Sequence, residues 1–297
     1  MEWDSHREGF SVYRTIEIAS IPVKSLQDSH PSATFYSDGE TRFKQGKLEN
    51  CWLAAAIESL RQKKNQDVFE TVVPKNRGDL EFRFWHKGAH QQTVRLASDV
   101  VPTDNEVPIF LRSVDSGEYW GILLEKAYAK WVGSYEGLAK GFWTDAIQSF
   151  TGGVVERIKI QDEDGNMDGK LFDIMLTSYT NGSSLCCIKK IEDTSESSNV
   201  PNSRKQYHAY CLVQIDEDST RPIHVLDPFT LQHHDLSYEQ FREQYHRLDM
   251  CHTNLDNLSA LQGRNILQTP WKKEMFQLQL ENGCVEFNIN LTGTSDE

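Results

Sequence analysis

Residues 45–60 read QGKLENCWLAAAIESL, and this stretch carries a clear helix signal. Its apolar side chains recur at helical spacing and form one stripe, made of Trp52, Leu53, Ala56, Ile57 and Leu60. Asn50 is a favoured N-cap residue, and a basic cluster near Lys63 suits the last turn. The pattern therefore predicts a helix from Asn50 to about Lys63, with Cys51 at its N-terminus.

Cys51 lies on this helix where a reactive thiol is expected. The unpaired N–H groups and the dipole at a helix N-terminus stabilise a negatively charged sulfur. Gln45 lies six residues upstream, and Gly46 allows the chain to turn between them. The Gln45 amide and the Cys51 backbone N–H could together bind a developing oxyanion. The alternative is a buried cysteine that only starts the helix.

Composition and charge restrict the class of protein. The 297 residues include 31 Lys and Arg against 44 Asp and Glu, a net charge of −13. A hydrophobic content of 38%, with 14 Phe, 10 Tyr and 7 Trp, is enough to bury a core and excludes bulk disorder. The acidic balance argues against nucleic acid and anionic membranes as partners, since both select basic surfaces. The length suits one large domain or two small ones that share a cleft.

The cysteines indicate a reducing compartment. There are six: Cys51, Cys186, Cys187, Cys211, Cys251 and Cys284. None forms a C-x-x-C pair and two are adjacent, which suits neither a disulfide framework nor a zinc site. The start, MEWDSHREGF, lacks the apolar core of a secretory signal, and the longest apolar run, residues 52–57, is far below the ~20 residues that span a bilayer. We therefore expect a cytoplasmic protein with no transmembrane segment, in which each cysteine fills the core or reacts.

The remaining pattern divides the chain into a helix-led half and a strand-led half. In the first half, residues 80–84 and 93–95 indicate strands, and residues 120–131 indicate an amphipathic helix. In the second half we predict strands at residues 154–160, 208–215 and 223–228. A short helix is predicted at residues 169–179. Two segments rich in turn-forming residues are predicted to be irregular: 27–40 and 192–206.

The two strands on either side of the polar loop 216–222 supply a possible second part of a catalytic site. If they form a hairpin with Val213 opposite Pro222, His208 lies directly opposite Asp227. Asp227 would then accept a hydrogen bond from His208 Nδ1, which leaves Nε2 to take a proton from a thiol. The alternative is a His–Asp pair that only stabilises the hairpin.

The motif around Cys51 resembles the active-site helix of calpains, whose pattern is Q-G-x-L-G-D/N-C-W-x-L-A-A. The resemblance continues in order from about residue 31 to residue 252. The blocks that carry it are DGETRF, VVPKNRGDLEFRFWHKG, EYWGILLEKAYAKWVGSYEGL, SFTGGVVE, YHAYCLVQI, VLDPF and YHRLDMC. It implies an α+β, papain-like cysteine protease core of two subdomains, one helix-led and one an antiparallel sheet, with a cleft between them.

By this resemblance, Cys51 matches the catalytic nucleophile, Gln45 the oxyanion-hole amide and His208 the general base. Gly141 matches a glycine whose backbone holds the substrate chain. The third catalytic position is an Asn in the family's N-P-W-G turn, and here it is Asp227. A carboxylate still orients the imidazole and stabilises its charged form more than an amide does. We therefore expect altered activity rather than its loss.

Other departures from the family pattern concern substrate binding. The Gly before the catalytic His is Tyr207, and the paired glycines read Lys140-Gly141. Both changes put bulk where substrate backbone lies in the family, so substrate binding is expected to differ from the family's. Gly141, Tyr207 and Phe229 are the expected substrate-binding residues. The Trp of the turn is Phe229, which is expected to shield the His–Asp bond from water with a smaller area.

The family's calcium switch is expected to be weakened or lost. One Asp ligand aligns with Arg42, a cation that opposes the metal, whereas Glu118 matches a Glu ligand that survives. The acidic stretch after the N-P-W-G turn is mostly deleted, since only residues 230–238 precede the next helix. The sequence therefore requires no cofactor, and calcium stays open through the resemblance alone.

Two other metal patterns are weaker. Residues 164–169, DGNMDG, match the first half of an EF-hand loop, but its twelfth position is Met175 where Glu is needed. A second group has zinc-ligand residue types without a standard spacing: His233, His234, His246, Cys251 and His252. We expect a solvated turn in the first case and surface or core histidines in the second.

Four segments are predicted: an N-terminal segment 1–30, a nucleophile subdomain 31–141, a His/Asp subdomain 142–252, and a tail 253–297 compatible with the truncated start of a β-sandwich module. The predicted function is a calpain-like intracellular cysteine endopeptidase that cleaves protein substrates and is independent of calcium. The alternative is a catalytically weak or inactive homologue that acts as a binding or regulatory module. The sequence does not say whether a regulatory subunit exists.

Overall fold

The computed structural model describes these parts of the chain: residues 21–36, 42–48, 50–62, 66–74, 80–86, 90–105, 107–114, 117–160, 170–191 and 206–253. Across these ranges, no helix has both the length and the apolar character needed to cross a membrane. Several predictions lie outside the described residues: those for residues 1–20, the EF-hand-like residues 164–169, residues 192–205 and the tail from 254 onward.

Up to the predicted boundary at residue 141, helices dominate. They are α1 (Leu26–Ser29), α2 (Cys51–Arg61), α3 (Gln66–Val72) and α4 (Trp120–Val132), followed by a 3₁₀ turn at Glu136–Leu138. The strands are β1 (Val23–Ser25), β2 (Phe43–Lys44), β3 (Glu81–His86), β4 (His90–Arg95), β5 (Val100–Asp104), β6 (Val107–Pro108) and β7 (Arg112–Ser113). They form small antiparallel sheets in the orders β1-β5-β6, β2-β7 and β3-β4.

Beyond residue 141, one antiparallel sheet dominates. The helices are α5 (Trp143–Thr151), α6 (Lys170–Thr180) and α7 (Tyr238–Gln244). The strands are β8 (Val154–Lys159), β9 (Ser184–Ile191), β10 (Gln206–Ile215), β11 (Ile223–Leu226), β12 (His233–Leu236) and β13 (Arg247–His252). They lie in the order β12-β11-β10-β9-β13-β8. The predicted α+β class, with a helix-led half and an antiparallel-sheet half, is confirmed; the exact segment boundaries stay predictions.

Most predicted elements are present, with shifts of one or two residues at their ends. The prediction of an irregular segment from residue 27 is wrong at its start, because Leu26–Ser29 forms one helical turn. The reason is tertiary: Asp99 Oδ2 accepts hydrogen bonds from Ser25 Oγ at 3.0 Å and from Gln27 N at 3.2 Å. A carboxylate brought from 70 residues away thus satisfies a donor that the local sequence leaves open.

Helix α2 is buried along nearly its whole length. It packs against α5 and against β10 of the sheet-led half, and Leu53, Ile57 and Leu60 have 0% of their surface exposed. At about 1.5–3 kcal/mol for each large aliphatic side chain, this burial is a major stabilising contribution. Ser59 joins the layers, since its Oγ lies 3.3 Å from Trp143 Nε1 and 3.3 Å from Cys211 Sγ. Helix α2 is therefore fixed by both halves.

Two apolar clusters make up the core. The larger extends from the helix-led half onto one face of the sheet, where it includes Cys186, Cys211 and Cys251. The smaller lies on the opposite face under α6 and α7 and includes Cys187 and Met175. All four cysteines have 0% exposure, which confirms the prediction that they fill the core.

The segment that carries Gln45 is held from three directions. Glu58 of α2 is 1% exposed, and its Oε1 accepts a hydrogen bond from Phe43 N at 3.1 Å. Gly46 touches a neighbouring backbone so closely that a Cβ there would lie 1.8 Å from Phe110 O. Gln45 N donates to Pro228 O of the sheet-led half at 2.9 Å. Gly46 is therefore required because no side chain fits this approach.

Gly46→Ala is expected to lower the free energy of unfolding by about 1–3 kcal/mol, because the added methyl group overlaps a carbonyl group that cannot move independently. The matched control is Gly137→Ala, where the nearest atom to the added Cβ is 3.5 Å away. That change should stay within about 0.5 kcal/mol of the wild type. Urea unfolding measures both variants, and equal stability of the two would contradict the packing described for Gly46.

Candidate active site

Cys51 is the first residue of α2 and is partly buried, with Asn50 at the N-cap position. The predicted helix start is confirmed, but the Asn50 side chain makes no capping hydrogen bond. Its Nδ2 instead donates to Glu125 Oε1 at 2.7 Å. This bond orients the amide toward α4, and Asn50 Oδ1, the atom that would accept a capping bond, has no hydrogen-bond partner among the described residues.

Glu125 is a residue of this site that sequence reasoning missed. It is 1% exposed, and its Oε2 accepts a hydrogen bond from Leu111 N at 3.0 Å. Burial raises the pKa of Glu125 to about 7, although its hydrogen bonds to Leu111 and Asn50 act in the opposite direction. The available signal was that Glu125 is the one acidic residue within the apolar helix pattern of residues 120–131.

His208 and Asp227 are in direct contact. His208 Nε2 lies 2.8 Å from Asp227 Oδ1, and Cys51 is close enough to the imidazole to help raise its pKa. The predicted contact is present, but the predicted atoms are wrong: Nε2, not Nδ1, faces the carboxylate. Since Nε2 is occupied, Nδ1 is the nitrogen left for the Cys51 thiol.

The hairpin register explains how these two side chains meet. Cys211 pairs with Leu226 and Leu212 with Val225, and the register then shifts before Gln214. The predicted pairing of Val213 with Pro222 is therefore wrong, because the strands extend further toward the loop and contain a bulge. Asp227, one residue beyond Leu226, comes opposite Tyr210. His208 is a diagonal neighbour on the same face, still within reach.

The pair is strongly coupled electrostatically. Burial lowers the pKa of His208, but the hydrogen bonds to Asp227 and Cys51 outweigh it and raise the pKa to about 9. For Asp227, burial favours the neutral acid, while hydrogen bonds from His208 and from Phe229 N, the latter at 2.8 Å, lower the pKa to about 2. At neutral pH the imidazolium and the carboxylate are therefore both charged.

Tyr210 is a second residue that sequence reasoning did not single out. Its ring meets the His208 imidazole edge to face, with centroids 4.8 Å apart. Burial is the main cause that raises the pKa of Tyr210 to about 12, with a further contribution from the Asp227 charge. The sequence signal for Tyr210 was its position two residues after His208 on one predicted strand, since residues two apart on a strand share a face.

Gln45 lies close to Cys51 in the chain and is buried, with 7% exposure. Its Nε2 donates to Leu48 O at 2.9 Å, so the amide is held within its own turn. Its Oε1 has no hydrogen-bond partner among the described residues. The second hydrogen of Nε2 is the one that remains for an oxyanion.

The predicted substrate-binding residues surround this group. Gly141 is exposed and lies against the indole of Trp52, where a Cβ would come within 2.5 Å of the ring. Tyr207 is 47% exposed and packs against His246 with ring centroids 5.8 Å apart. Phe229 is 50% exposed, and its backbone N–H rather than its ring contacts Asp227.

The residues considered for metals are placed apart. Glu118 is 2% exposed, and its Oε2 accepts a hydrogen bond from Trp120 Nε1 at 3.0 Å. His252 Nδ1 lies 2.8 Å from Ser183 Oγ, at the far strand of the sheet from His233. In the described ranges, no three His, Cys, Asp or Glu side chains are grouped so that they could hold a metal ion.

The site combines a thiol at a helix N-terminus with an imidazole and a carboxylate, and it lies on a core built from a helix-led half and an antiparallel sheet. This combination defines the cysteine protease class of site. A model of the calpain family of cysteine proteases matches residues 14–234 of this chain. The chain belongs to the calpain family.

Individual relatives agree with this family. The chain is 30% identical to the calpain-2 catalytic subunit of Gallus gallus over 272 residues, which covers 76% of this chain and 38% of the relative. It is 32% identical to calpain-9 of Homo sapiens over 232 residues, covering 72% and 32% of the two chains. The chain thus spans less than two fifths of the length of these relatives.

The coupling of His208 to Asp227 generates a test by titration. Asp227→Asn is expected to lower the pKa of His208 from about 9, because the variant loses the carboxylate charge that favours the imidazolium. NMR of ¹³C-labelled histidine follows the titration directly. The control is Asp235→Asn, which removes the same charge from the His224–Asp235 pair and should leave His208 unchanged.

The same pair predicts how stability depends on pH. Because the pKa of His208 is raised from 6.5 to about 9 on folding, the charged imidazole adds to the free energy of unfolding. This contribution is fully present below pH 6.5 and is lost as the pH rises toward 9. The difference in unfolding free energy between wild type and Asp227→Asn should therefore be largest near pH 5–6 and shrink toward pH 9. A difference that grows with pH would contradict this coupling.

Proposed function

We propose that this chain is a cysteine endopeptidase of the calpain type, in which Cys51 attacks a peptide carbonyl carbon. The observation that carries the proposal is the 2.8 Å contact between His208 Nε2 and Asp227 Oδ1, with Cys51 close enough to the imidazole to help raise its pKa. Each residue has the chemistry that its place requires: a nucleophile, a proton carrier and an orienting acceptor.

In the proposed reaction, the Cys51 proton resides on His208 Nδ1, and the sulfur adds to the peptide carbonyl carbon. The carbon–nitrogen bond then breaks, the amine leaves with the proton from Nδ1, and a thioester remains. Asp227 keeps the imidazole ring in plane and stabilises its charged form. The backbone N–H of Cys51 and the second Nε2 hydrogen of Gln45 supply the oxyanion donors. Water then hydrolyses the thioester and restores the thiol.

Protein substrates are the proposed partners, because an exposed backbone at Gly141 beside Trp52 suits an extended polypeptide. Neither nucleic acid nor a regulatory subunit is part of the proposal. A cytoplasmic location is proposed because the described cysteines, one at the candidate site and four in the core, suit a reducing compartment.

We also propose that activity does not depend on calcium. The residues that the family resemblance assigns to a calcium site do not fit the ion: Arg42 is a cation, and the buried Glu118 accepts a hydrogen bond from Trp120. In support, Gln45 N donates to Pro228 O at 2.9 Å. This bond joins the segment of the proposed oxyanion donor directly to the turn that carries Asp227, so groups of the chain itself hold the two halves together here.

The alternative is a catalytically weak homologue that binds proteins. The observation that favours it is Tyr207, a half-exposed residue that directly precedes His208 in the chain, where the family has a glycine. A second is the Gln45 amide, which already donates to Leu48 O. Both would reduce turnover and leave binding intact.

Casein hydrolysis tests the proposal. Wild type should release peptides at equal rates with calcium and with chelator, and Cys51→Ala should lose at least about 10³-fold in rate, because no other group supplies the nucleophile.

A matched pair of histidine variants controls for folding. His208→Ala should lose activity as Cys51→Ala does, whereas His224→Ala removes a histidine from the other His–Asp pair and should retain it. Absence of turnover by wild type under both conditions would favour the weak homologue, and a strict requirement for calcium would overturn the calcium-independent proposal.

A further inference from the structure

One end of the six-stranded sheet carries a row of cations on a single face. Directly opposed residues of antiparallel strands place their side chains on the same side. Tyr207 pairs with Lys190, Ile188 pairs with Arg247, and Arg247 pairs with Lys159. Residues two apart on one strand also share a side. The register alone therefore puts these side chains on one surface.

Arg157, two residues before Lys159, belongs to the same surface, and we call the four cations Arg157, Lys159, Lys190 and Arg247 the basic face. Phe142 connects this face to the cleft. Its ring is 47% exposed and lies 4.4 Å from Arg157 Cζ and 5.8 Å from Arg247 Cζ. These cation–π contacts hold both guanidinium groups beside Phe142, which directly follows Gly141 in the chain.

Carboxylates offset only part of this charge. Arg247 makes two hydrogen bonds to the buried Asp249, at 2.6 and 2.9 Å, and Arg157 lies 3.8 Å from Asp145. The exposed Lys159 and Lys190 add two further cations.

The sheet also tolerates an unfavourable pair here, because Lys159 lies directly opposite Arg247. Like charges in that position destabilise a sheet. A local excess of positive charge on a chain of net charge −13 indicates an anionic ligand.

We propose that the basic face binds acidic side chains of the polypeptide that lies in the cleft at Gly141, so that the site selects acidic protein segments. The inference rests on the proposed function and names its substrate class. The face continues into the cleft at Phe142 and at Tyr207, both half-exposed aromatic residues that suit contact with a peptide. An extended phosphate surface is disfavoured because the rest of this acidic chain would repel it.

Binding to the Cys51→Ala protein tests the proposal without turnover. The probes are a fluorescein-labelled peptide rich in Glu and the same peptide with every Glu replaced by Gln. The Glu peptide should bind about five- to tenfold more tightly at low salt, and the preference should disappear at ~0.5 M salt. Fluorescence anisotropy gives both dissociation constants.

Charge reversal locates the site. Lys190→Glu and Lys159→Glu should each reduce the preference for the Glu peptide, and the double variant should abolish it. The matched control is Arg221→Glu, which makes the same change in charge. Arg221 is exposed and lies in the loop at the opposite end of the β10–β11 ladder, so this variant should leave the preference intact.

The outcomes separate this proposal from the proposed function. Equal binding of the Glu and Gln peptides, or equal loss in Arg221→Glu and Lys190→Glu, would overturn the basic face as a peptide site even if wild type cleaves casein. Binding to phosphatidylserine vesicles that depends on Lys190, without peptide preference, would also overturn it. Charge-dependent peptide binding by a protein that cleaves nothing would support the basic face and overturn only the protease proposal.

Discussion

The burial of α2 between the two halves is the constraint on which the rest of the structure depends. Its apolar face contacts α5 and the sheet, and Ser59 joins Trp143 on one side to Cys211 on the other. Because the helix cannot shift without disturbing both layers, the position of Cys51 at its N-terminus is determined by core packing. The reactive end of the helix is exposed at the cleft, while the remainder is a structural element of the core.

The chemistry of the site depends on a second coupling, between charges. His208 and Asp227 raise and lower each other's pKa values so that both are charged at neutral pH. Where the family has an amide, this chain has a carboxylate, and the imidazolium is correspondingly more stable. Burial of the pair makes this stabilisation larger than it would be at the surface, because water screens the charges less.

The two halves are joined at the cleft itself. The hydrogen bond from Gln45 N to Pro228 O links the segment before the nucleophile helix to the turn that follows β11. Glu58 and Gly46 hold the first segment, and the hydrogen bond from Phe229 N to Asp227 orders the second. At one end of the sheet, Phe142, Tyr207 and the four cations of the basic face form a surface whose charge is opposite to that of the chain as a whole.

Sequence alone was sufficient for elements with strong periodicity, including α2, α4 and β8, and for the contact between His208 and Asp227. It was insufficient where geometry depended on distant residues. The register was wrong because the strands pair closer to the loop than the predicted hairpin, with Ile215 opposite Ile223 and a bulge before Gln214. Which imidazole nitrogen faces Asp227 depends on side-chain packing that no local pattern reports. Glu125 was missed because its role requires Asn50 and Leu111, which are far from it in the chain.

The amino-acid sequence by itself determined the class of fold, the likeness to calpains and the residue types available for catalysis. Those follow from composition, short-range periodicity and motifs, all of which are local. Only the tertiary structure decided which imidazole nitrogen faces Cys51, how the Gln45 amide is bonded and which cations share a face. These depend on strand register and on contacts between residues far apart in the chain, whose energies are set by packing rather than by local preference.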